Sequence, residues 1–114
     1  MEKYKISKCN PYMDRILKRI GELHDKKNSD YSILGNPYSN FEAAAITAGV
    51  SVDEVFRVMI GIKLARLDAL SKKDNKANFE SVEDTILDLA VYACIYASYK
   101  DKDKEKQNER YNRQ

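Results

Sequence analysis

Apolar residues recur at helical spacing through most of the chain, and this pattern predicts an all-α protein. In the segment from Asn10 to Lys27, apolar side chains return every three or four residues, which places them on one face of a helix. Asn10 suits the N-cap of this helix, and Pro11 suits its first position. The stretch "NSDYSILGNPYSN", residues 28–40, then interrupts the pattern with Asn, Gly and Pro, so we expect an ordered loop there.

A short helix is predicted from Ser39 to Gly49. Ser39 and Glu42 have the three-residue spacing of a capping box, in which each side chain accepts a hydrogen bond from the other residue's backbone N–H. Gly49 suits the position after a helix, because glycine adopts the left-handed backbone conformation at little cost.

Two longer helices follow along the chain. The first begins with a second capping box, Ser51 and Glu54, and is predicted to run to about Ser71. The polar turn "KDNKAN" separates it from the last helix, which is predicted to begin near Asn78 and end near Lys100. Together these elements predict an all-α helical bundle of about four main helices plus a short one.

Length and composition agree with one soluble domain. The chain has 114 residues, of which 43% are hydrophobic and 33% are charged, enough for a modest core. We expect the domain to cover residues 1–100 and residues 101–114 to form a charged tail, either a frayed helix or disordered. No apolar run approaches the roughly 18 residues of a membrane span, and the N-terminus has no signal-peptide core. A cytoplasmic location is therefore expected.

Charge, cysteine and histidine content exclude several classes of site. The net charge of +2 gives no basis for binding long nucleic acid. Cys9 and Cys94 match no metal-ligand spacing and no disulfide framework, and the apolar neighbours of Cys94 predict a buried free thiol. His24 is the single histidine, which excludes a histidine-rich metal site, and we expect it at the surface or at a helix end.

Cations lie on the apolar face of the third predicted helix. At steps of about 100° per residue, Lys63 and Arg66 fall within roughly the same 60° sector as the apolar residues of that face. A buried cation without a partner is costly, so each needs an anion or an opening to solvent.

The last helix supplies carboxylates. Glu80, Asp84 and Asp88 are spaced by four residues, so they drift only about 80° around the helix. An apolar strip covers the opposite side: Val82, Ile86, Leu89 and Ala93. A helix that is apolar on both sides is usually central in a bundle or buried at a subunit interface. The acids are therefore expected to face another part of the protein.

Two hypotheses account for acids opposite Lys63 and Arg66. They can form a structural ion-pair network with no ligand. Alternatively, the acids can hold a hard cation such as Mg²⁺, which takes oxygen ligands, while the basic pair contacts phosphate oxygens. Glu42 is a further candidate for the acidic group, although its capping box explains it without a functional role.

The tyrosines allow two interpretations as well. Tyr92, Tyr96 and Tyr99 recur at helical spacing, and Tyr31 and Tyr38 lie in or beside the predicted loop. Most such residues pack in the core with their hydroxyl groups reaching a partner. One or two of them can instead stack on a base.

Three segments together resemble a known superfamily. They are "KKNSDYSILGNPYSNFE", "GIKLARLDAL" and "ESVEDTILDLAVYA", and they carry a Lys-x-x-Asp-Tyr loop, an Asn-Phe-Glu helix start, a Lys-x-x-Arg-Leu helix and a Glu-Ser-x-x-Asp-x-x-x-Asp-x-x-x-Tyr helix. This order is similar to the MazG-like, all-α nucleoside triphosphate pyrophosphatases and to phage nucleotide-modification-associated domains. The resemblance covers about residues 26–96.

The resemblance implies an oligomer, a dimer or tetramer, that hydrolyses a nucleoside triphosphate to a monophosphate and pyrophosphate with Mg²⁺, or Mn²⁺ as a substitute. It implies a phage protein located in the host cytoplasm, with a nucleotide or a nucleotide-derived small molecule as partner. Charge and hydropathy, as given above, predict neither long nucleic acid nor a membrane as a partner. The implied catalytic and metal-binding residues are Glu42, Glu80, Asp84 and Asp88. The implied substrate-binding residues are Lys27, Asp30, Tyr31, Asn40, Phe41, Lys63, Arg66 and Tyr92.

One motif departs from the superfamily pattern. Active members carry a Glu-Glu-x-x-Glu cluster where this chain reads "NFEAAAIT", with Glu42 followed by alanines. The alternative hypothesis is therefore a non-catalytic binder that sequesters a nucleotide or a nucleotide-derived defence signal. Retention of Asp84 and Asp88 favours the enzyme instead.

Overall fold

Four α-helices make up nearly all of the described chain. The computed structural model describes residues 10–31, 35–72 and 76–112, and these ranges contain no β-strand. The helices are α1 (Pro11–Tyr31), α2 (Ser39–Ala48), α3 (Val52–Ser71) and α4 (Lys76–Asn112). This confirms the all-α prediction, although the described ranges hold three long helices and the short α2, one helix fewer than the predicted four main helices plus a short one. No helix in the described ranges is long and apolar enough to cross a membrane.

The first helix is longer than the sequence pattern predicted. Asn10 caps it as expected, since its Oδ1 accepts a hydrogen bond from the Met13 backbone N–H at 3.0 Å. However, α1 continues to Tyr31, so the loop predicted from residue 28 was wrong over its first four residues. The polar run in 28–31 lacks apolar periodicity but contains no glycine or proline, and therefore nothing in it stops a helix that has already formed.

The start of α2 uses a different cap from the predicted one. Tyr38 is the N-cap residue and makes no side-chain cap, so Ser39 lies inside the helix and the predicted capping box was wrong. Asn36 replaces it: its Nδ2 donates to Glu42 Oε1 at 2.7 Å, and its Oδ1 accepts from the Tyr38 N–H at 3.1 Å. At the other end, Gly49 has φ of 70° and closes the helix as predicted.

The predicted start and end of α3 were correct, whereas the predicted end of α4 was wrong. Ser51 and Glu54 form the expected capping box, with the Glu54 N–H donating to Ser51 Oγ at 3.1 Å and the Ser51 N–H donating to Glu54 Oε1 at 3.3 Å. α3 then ends at Ser71 as predicted. α4 continues to Asn112 instead of ending near Lys100, and its residues 104–112 are exposed.

Aromatic rings dominate the core between α2, α3 and α4. Phe56 and Val91 are fully buried. Phe41 stacks on Phe56 with 4.4 Å between ring centroids, and Tyr96 stacks on the Phe56 ring at 4.9 Å. Because Phe56 contacts rings from both α2 and α4, it joins the helices that carry the candidate site.

The burial prediction for Cys94 was wrong. It is exposed, whereas a buried thiol was expected from its apolar neighbours. Val91 and Ile95 are buried on the core face of α4, and Cys94 points away from that face because consecutive helical residues lie about 100° apart. Cys9 lies outside the described residues.

Candidate functional site

A carboxylate held by two lysines joins three helices. Asp88 of α4 accepts from Lys27 Nζ of α1 at 2.9 Å through Oδ1, and from Lys63 Nζ of α3 at 3.2 Å through Oδ2. The three side chains are only 31%, 21% and 30% exposed for Lys27, Lys63 and Asp88. This lysine–aspartate cluster, made of Lys27, Lys63 and Asp88, is therefore partly shielded from water.

The cluster carries an excess of positive charge. Partial burial on its own raises the pKa of Asp88, but the hydrogen bonds and charges of Lys27 and Lys63 outweigh it and hold that pKa below its usual value. Asp88 is consequently ionised at neutral pH. Two ammonium groups against one carboxylate leave the cluster with one net positive charge, which favours an additional anion nearby.

An aromatic ring lies beneath both lysines. Lys27 Nζ is 5.1 Å from the centroid of the Tyr92 ring, and Lys63 Nζ is 5.9 Å from it. Phe41 meets the same ring edge to face, with 6.3 Å between centroids. The cation–π contacts and the Asp88 hydrogen bonds together restrain the two ammonium groups close to the Tyr92 ring.

A cavity of about 210 Å³ opens beside this arrangement. It lies between α1, the start of α2 and α4, and one of its walls includes the Lys27 side chain of the cluster. Its lining is part aromatic or aliphatic and part polar: His24, Lys27, Asn28, Pro37, Asn40, Phe41, Tyr92 and Ile95. A concave, largely apolar surface with a few convergent polar groups is the usual form of a small-molecule site.

The structure brings together five residues of the predicted substrate site. Four line the cavity, namely Lys27, Asn40, Phe41 and Tyr92, and Lys63 joins them through Asp88. A sixth residue of that set, Arg66, is exposed and does not line the cavity.

Three other predicted site residues have side chains outside the described part of the chain. The side chains of Asp30 and Tyr31, in the last turn of α1, lie outside the described residues. The same holds for the side chain of Glu80 in α4. Their predicted roles stay predictions from the sequence.

The remaining predicted metal ligands do not converge in the described part of the chain. Glu42 is engaged by Asn36, Asp84 is exposed, and Asp88 is held by the two lysines. Among the described residues, no three His, Cys, Asp or Glu side chains group closely enough to hold a metal ion. Glu42, Asp84 and Asp88 therefore do not form a metal-ligand group by themselves, and the side chain of the fourth predicted ligand, Glu80, lies outside the described residues.

Sequence reasoning missed four residues of the cavity lining. His24, Asn28, Pro37 and Ile95 were not site candidates, yet all four line it. A signal was present for α1, since His24, Lys27 and Asn28 have the three- and four-residue spacing that places them on one helix face. Ile95 gave no comparable signal, because it resembles any core residue of α4.

A second carboxylate cluster lies between α3 and α4. Asp53 Oδ1 accepts from the Tyr96 hydroxyl at 2.8 Å and from Lys100 Nζ at 3.0 Å. The hydrogen bond from Lys100, followed by that from Tyr96, lowers the pKa of Asp53, and the same contacts raise the pKa of Tyr96 and Lys100. This aspartate–tyrosine–lysine cluster, made of Asp53, Tyr96 and Lys100, is neutral overall and ties the start of α3 to α4.

Comparisons of the chain with protein-family models, with curated proteins and with solved structures found no match. The membership of the MazG-like superfamily therefore stays a prediction from the sequence motifs.

Proposed function

We propose that the protein binds a nucleotide or a nucleotide-derived anion, with the base in the cavity and the phosphate at the lysine–aspartate cluster. The observation that carries this proposal is the pairing of Lys27 and Lys63 above Tyr92, beside a cavity whose lining includes Lys27. Lysine is a common phosphate ligand because its ammonium group offers three donors and a compact charge.

The lining of the cavity suits a heteroaromatic ring. Phe41 and Tyr92 supply apolar faces and edges against which a base can pack. The side-chain amides of Asn28 and Asn40 supply both donors and acceptors for its polar edge. At about 210 Å³ the cavity is smaller than the roughly 300 Å³ and more of sites that enclose a whole drug-sized ligand. It therefore accommodates one ring system and leaves sugar and phosphate outside.

Asp88 acts in this proposal as a counterion that the ligand phosphate replaces or joins. Its carboxylate bonds both lysines, at 2.9 Å and 3.2 Å, with a single negative charge. A phosphate monoester carries about 1.5 to 2 negative charges and three strong acceptor oxygens. It balances the two ammonium groups more completely than Asp88 does, so the exchange favours the more highly charged anion.

Binding without turnover is the form of this function that the described carboxylates favour. Mg²⁺-dependent hydrolysis, which the resemblance implies, needs carboxylates that are free to hold the metal ion together with the substrate phosphates. Glu42 and Asp88 are instead bonded within the protein, to Asn36 and to the two lysines. A binder that sequesters a nucleotide-derived signal requires only the lysines, the ring and the cavity.

Calorimetric titration against a panel of canonical nucleotides, modified nucleotides and cyclic dinucleotides tests the proposal. The wild type is compared with Lys27→Met and with the control Lys18→Met, which changes an exposed lysine of the same helix. A charged hydrogen bond contributes about 1.5–3 kcal/mol, so Lys27→Met is expected to weaken binding by roughly tenfold to more than a hundredfold, while Lys18→Met leaves it unchanged.

The same panel, incubated with Mg²⁺ or Mn²⁺ and followed by mass spectrometry, separates binding from hydrolysis. A bound panel member that stays intact supports the binder. Release of a monophosphate and pyrophosphate would instead support the hydrolase. If no member of the panel binds, or if Lys27→Met binds as well as the wild type, the proposal is wrong.

A further inference from the structure

Two asparagine side chains approach the cavity from different helices. Asn28 lies near the end of α1 and Asn40 lies in the first turn of α2, and both line the cavity. Neither side-chain amide makes a hydrogen bond to another residue of the ranges 10–31, 35–72 and 76–112. The donors and the acceptor of each amide therefore remain available to a ligand. The cavity thus offers two amide contacts, one from each of two walls.

The charged and imidazole groups of the lining are each engaged on at least one atom. Lys27 Nζ donates to Asp88 at 2.9 Å, and His24 Nδ1 lies 3.4 Å from Asp25 Oδ1, which leaves the Nε2 atom of that ring for a ligand. The described residues that line the cavity include no Asp, Glu or Arg. In this lining, donor and acceptor side by side are therefore supplied by the two amides.

The aromatic rings of the cavity hold a base without selecting it. Phe41 and Tyr92 both line the cavity and meet edge to face, with 6.3 Å between their centroids. Stacking on aromatic side chains tolerates any sequence because every base has a π-face. The choice of base therefore depends on the polar groups of the lining.

The common bases differ in how many of their edges an amide can match. An amide presents a donor beside an acceptor, so it pairs with an edge that has an acceptor beside a donor. Adenine has such an edge on both sides, since its amino group lies between N1 and N7 and has one hydrogen for each. The N7 edge of guanine has two acceptors, N7 and O6, which suit Arg or Lys instead. Cytosine and uracil have a single polar edge, because their other side is a C–H group.

We propose that the cavity selects adenine, with one of the two asparagine amides on the N1 edge and the other on the N7 edge of the same base. This inference rests on the proposed function, in which the phosphate of the nucleotide lies at the lysine–aspartate cluster. Adenine satisfies both amides at once, whereas each of the other common bases leaves one amide without a matched edge. An amide that a ligand covers without a partner loses its hydration, and this cost penalises the other bases.

The volume of the cavity agrees with a bicyclic base. An apolar cavity of about 150 Å³ holds one benzene ring. The cavity beside Tyr92 has about 210 Å³, so it has room for the second ring that a purine adds. Volume does not separate adenine from guanine, and that distinction depends on the two amides.

Calorimetric titration with the monophosphates of adenosine, guanosine, cytidine and uridine tests the selection, because these ligands share one phosphate and one sugar. A matched pair between an amide and adenine discriminates against a wrong base by roughly fivefold to more than a hundredfold. Adenosine monophosphate is therefore expected to bind at least about fivefold tighter than the other three. Equal affinity for all of them, or tighter binding of another base, would overturn the inference.

Deaza analogues test the two edges on the unaltered protein. The 7-deaza and 1-deaza analogues of adenosine monophosphate each replace one ring nitrogen with a C–H group. Each is expected to bind roughly twofold to tenfold more weakly than adenosine monophosphate, the effect of one lost hydrogen bond. If either analogue binds as tightly as adenosine monophosphate, the arrangement with two matched edges is wrong.

The variants Asn28→Leu and Asn40→Leu test the two residues, and Asn108→Leu in the exposed end of α4 is the matched control. Leucine is similar in size to asparagine but has no hydrogen-bonding group. Each cavity variant is expected to lose its sensitivity to one deaza analogue and to keep its sensitivity to the other, with unchanged helix content by circular dichroism. Folded variants that keep the full preference for adenine would overturn the roles of Asn28 and Asn40.

The variant Lys27→Met separates this inference from the proposed function. It is expected to weaken all the monophosphates alike because Lys27 holds the phosphate that they share, whereas the asparagine variants change the ranking of the bases. If Lys27→Met weakens binding but the bases bind equally, the proposed function stands and adenine selection is wrong. If none of the monophosphates binds, adenine selection is also wrong, and the wider nucleotide panel decides the proposed function by itself.

Discussion

Asp88 and Asp53 are two carboxylates of similar chemistry in very different settings. Each accepts a hydrogen bond from a lysine of another helix, and each is about one third exposed, at 30% for Asp88 and 33% for Asp53. Asp88 accepts hydrogen bonds from two lysines, so its cluster has a net positive charge. Asp53 accepts from one lysine, Lys100, which balances its charge, and from the neutral hydroxyl of Tyr96. Only the first of these two clusters contributes a side chain, Lys27, to the cavity lining.

The difference indicates how a candidate ligand-binding cluster differs from a cluster that only stabilises the packing of two helices. An ion pair between α3 and α4 is explained by packing alone, and its exposed members contribute little to stability. The net positive charge of the lysine–aspartate cluster, next to a cavity, is harder to explain by packing, since it favours an anion in addition to Asp88. Charge balance and open volume therefore distinguish the two clusters better than the residue types do.

The substitution with the largest expected effect on stability removes the Phe56 ring, which lies between the two clusters. Phe56 stacks on Phe41 of the cavity and on Tyr96 of the aspartate–tyrosine–lysine cluster, and it is fully buried. Phe56→Ala is expected to lower the free energy of unfolding by about 3–5 kcal/mol because it leaves a cavity in the core. Urea unfolding followed by circular dichroism measures this. A loss below about 1 kcal/mol would show that the two regions do not depend on this ring.

The next prediction compares how Asp88 and Asp53 affect nucleotide affinity. Asp88→Asn removes the counterion of Lys27 and Lys63 without changing the size of the side chain, so nucleotide affinity is expected to rise by roughly tenfold, or about 1.4 kcal/mol. Asp53→Asn is the matched control and is expected to leave affinity unchanged. Calorimetric titration measures both variants.

Weaker binding by Asp88→Asn would contradict the role of Asp88 as an exchangeable counterion. It would favour a direct role for this carboxylate in holding the ligand or a metal ion. An equal change in Asp53→Asn would remove the contrast between the two clusters.

Acid pH is expected to weaken both clusters gradually. The pKa values of Asp88 and Asp53 lie below their usual value in the folded chain, so each carboxylate stabilises the fold above an unfolded pKa of about 3.9. This stabilisation is lost as the pH falls through the lower folded pKa, because protonation then removes the ion pairs. Urea unfolding at a series of pH values between neutral and strongly acidic measures the loss.

Asn variants at positions 88 and 53 are the controls for the acid series. Each should show a shallower decline of stability with falling pH than the wild type, since it has no carboxyl group to protonate there. A decline as steep as that of the wild type in both variants would assign the acid sensitivity to other groups.

The smallest expected effect concerns one hydroxyl. Tyr96→Phe removes the hydrogen bond to Asp53 but keeps the ring stacked on Phe56. We expect a small loss of thermal stability, well below that of Phe56→Ala, and unchanged ligand affinity. Differential scanning calorimetry and the nucleotide titration check the two parts. A clear loss of affinity would mean that this cluster is coupled to the cavity.

Local features of the fold were predictable where one residue or a short spacing decides them. Asn10, Gly49 and the capping box of Ser51 and Glu54 all act as predicted. The Ser39 box was wrong because Asn36, three residues earlier, bonds Glu42 instead. Such competition between neighbouring polar side chains is settled by backbone geometry, which composition does not reveal.

The residue types of the candidate site were predictable from the sequence. The hydrogen-bond partners of these residues were predictable only in part. Lys63 opposite Asp88 agrees with the expectation of acids facing the cations of the third helix. Lys27 was assigned to the nucleotide site by resemblance, but its bond to Asp88 was not foreseen. His24, Asn28, Pro37 and Ile95 also line the cavity, and among them only His24 and Asn28 gave a signal, since they share one face of α1 with Lys27.

The sequence by itself determined which stretches form helices and most of their caps, because periodicity and caps depend on residues within a few positions of each other. Only the tertiary structure decided which charges meet. Lys27 and Asp88 are separated by 61 positions, and Lys63 and Asp88 by 25, and both pairs depend on how α1 and α3 pack on α4. That packing follows from the ring cluster around Phe56, whose contacts no local spacing encodes.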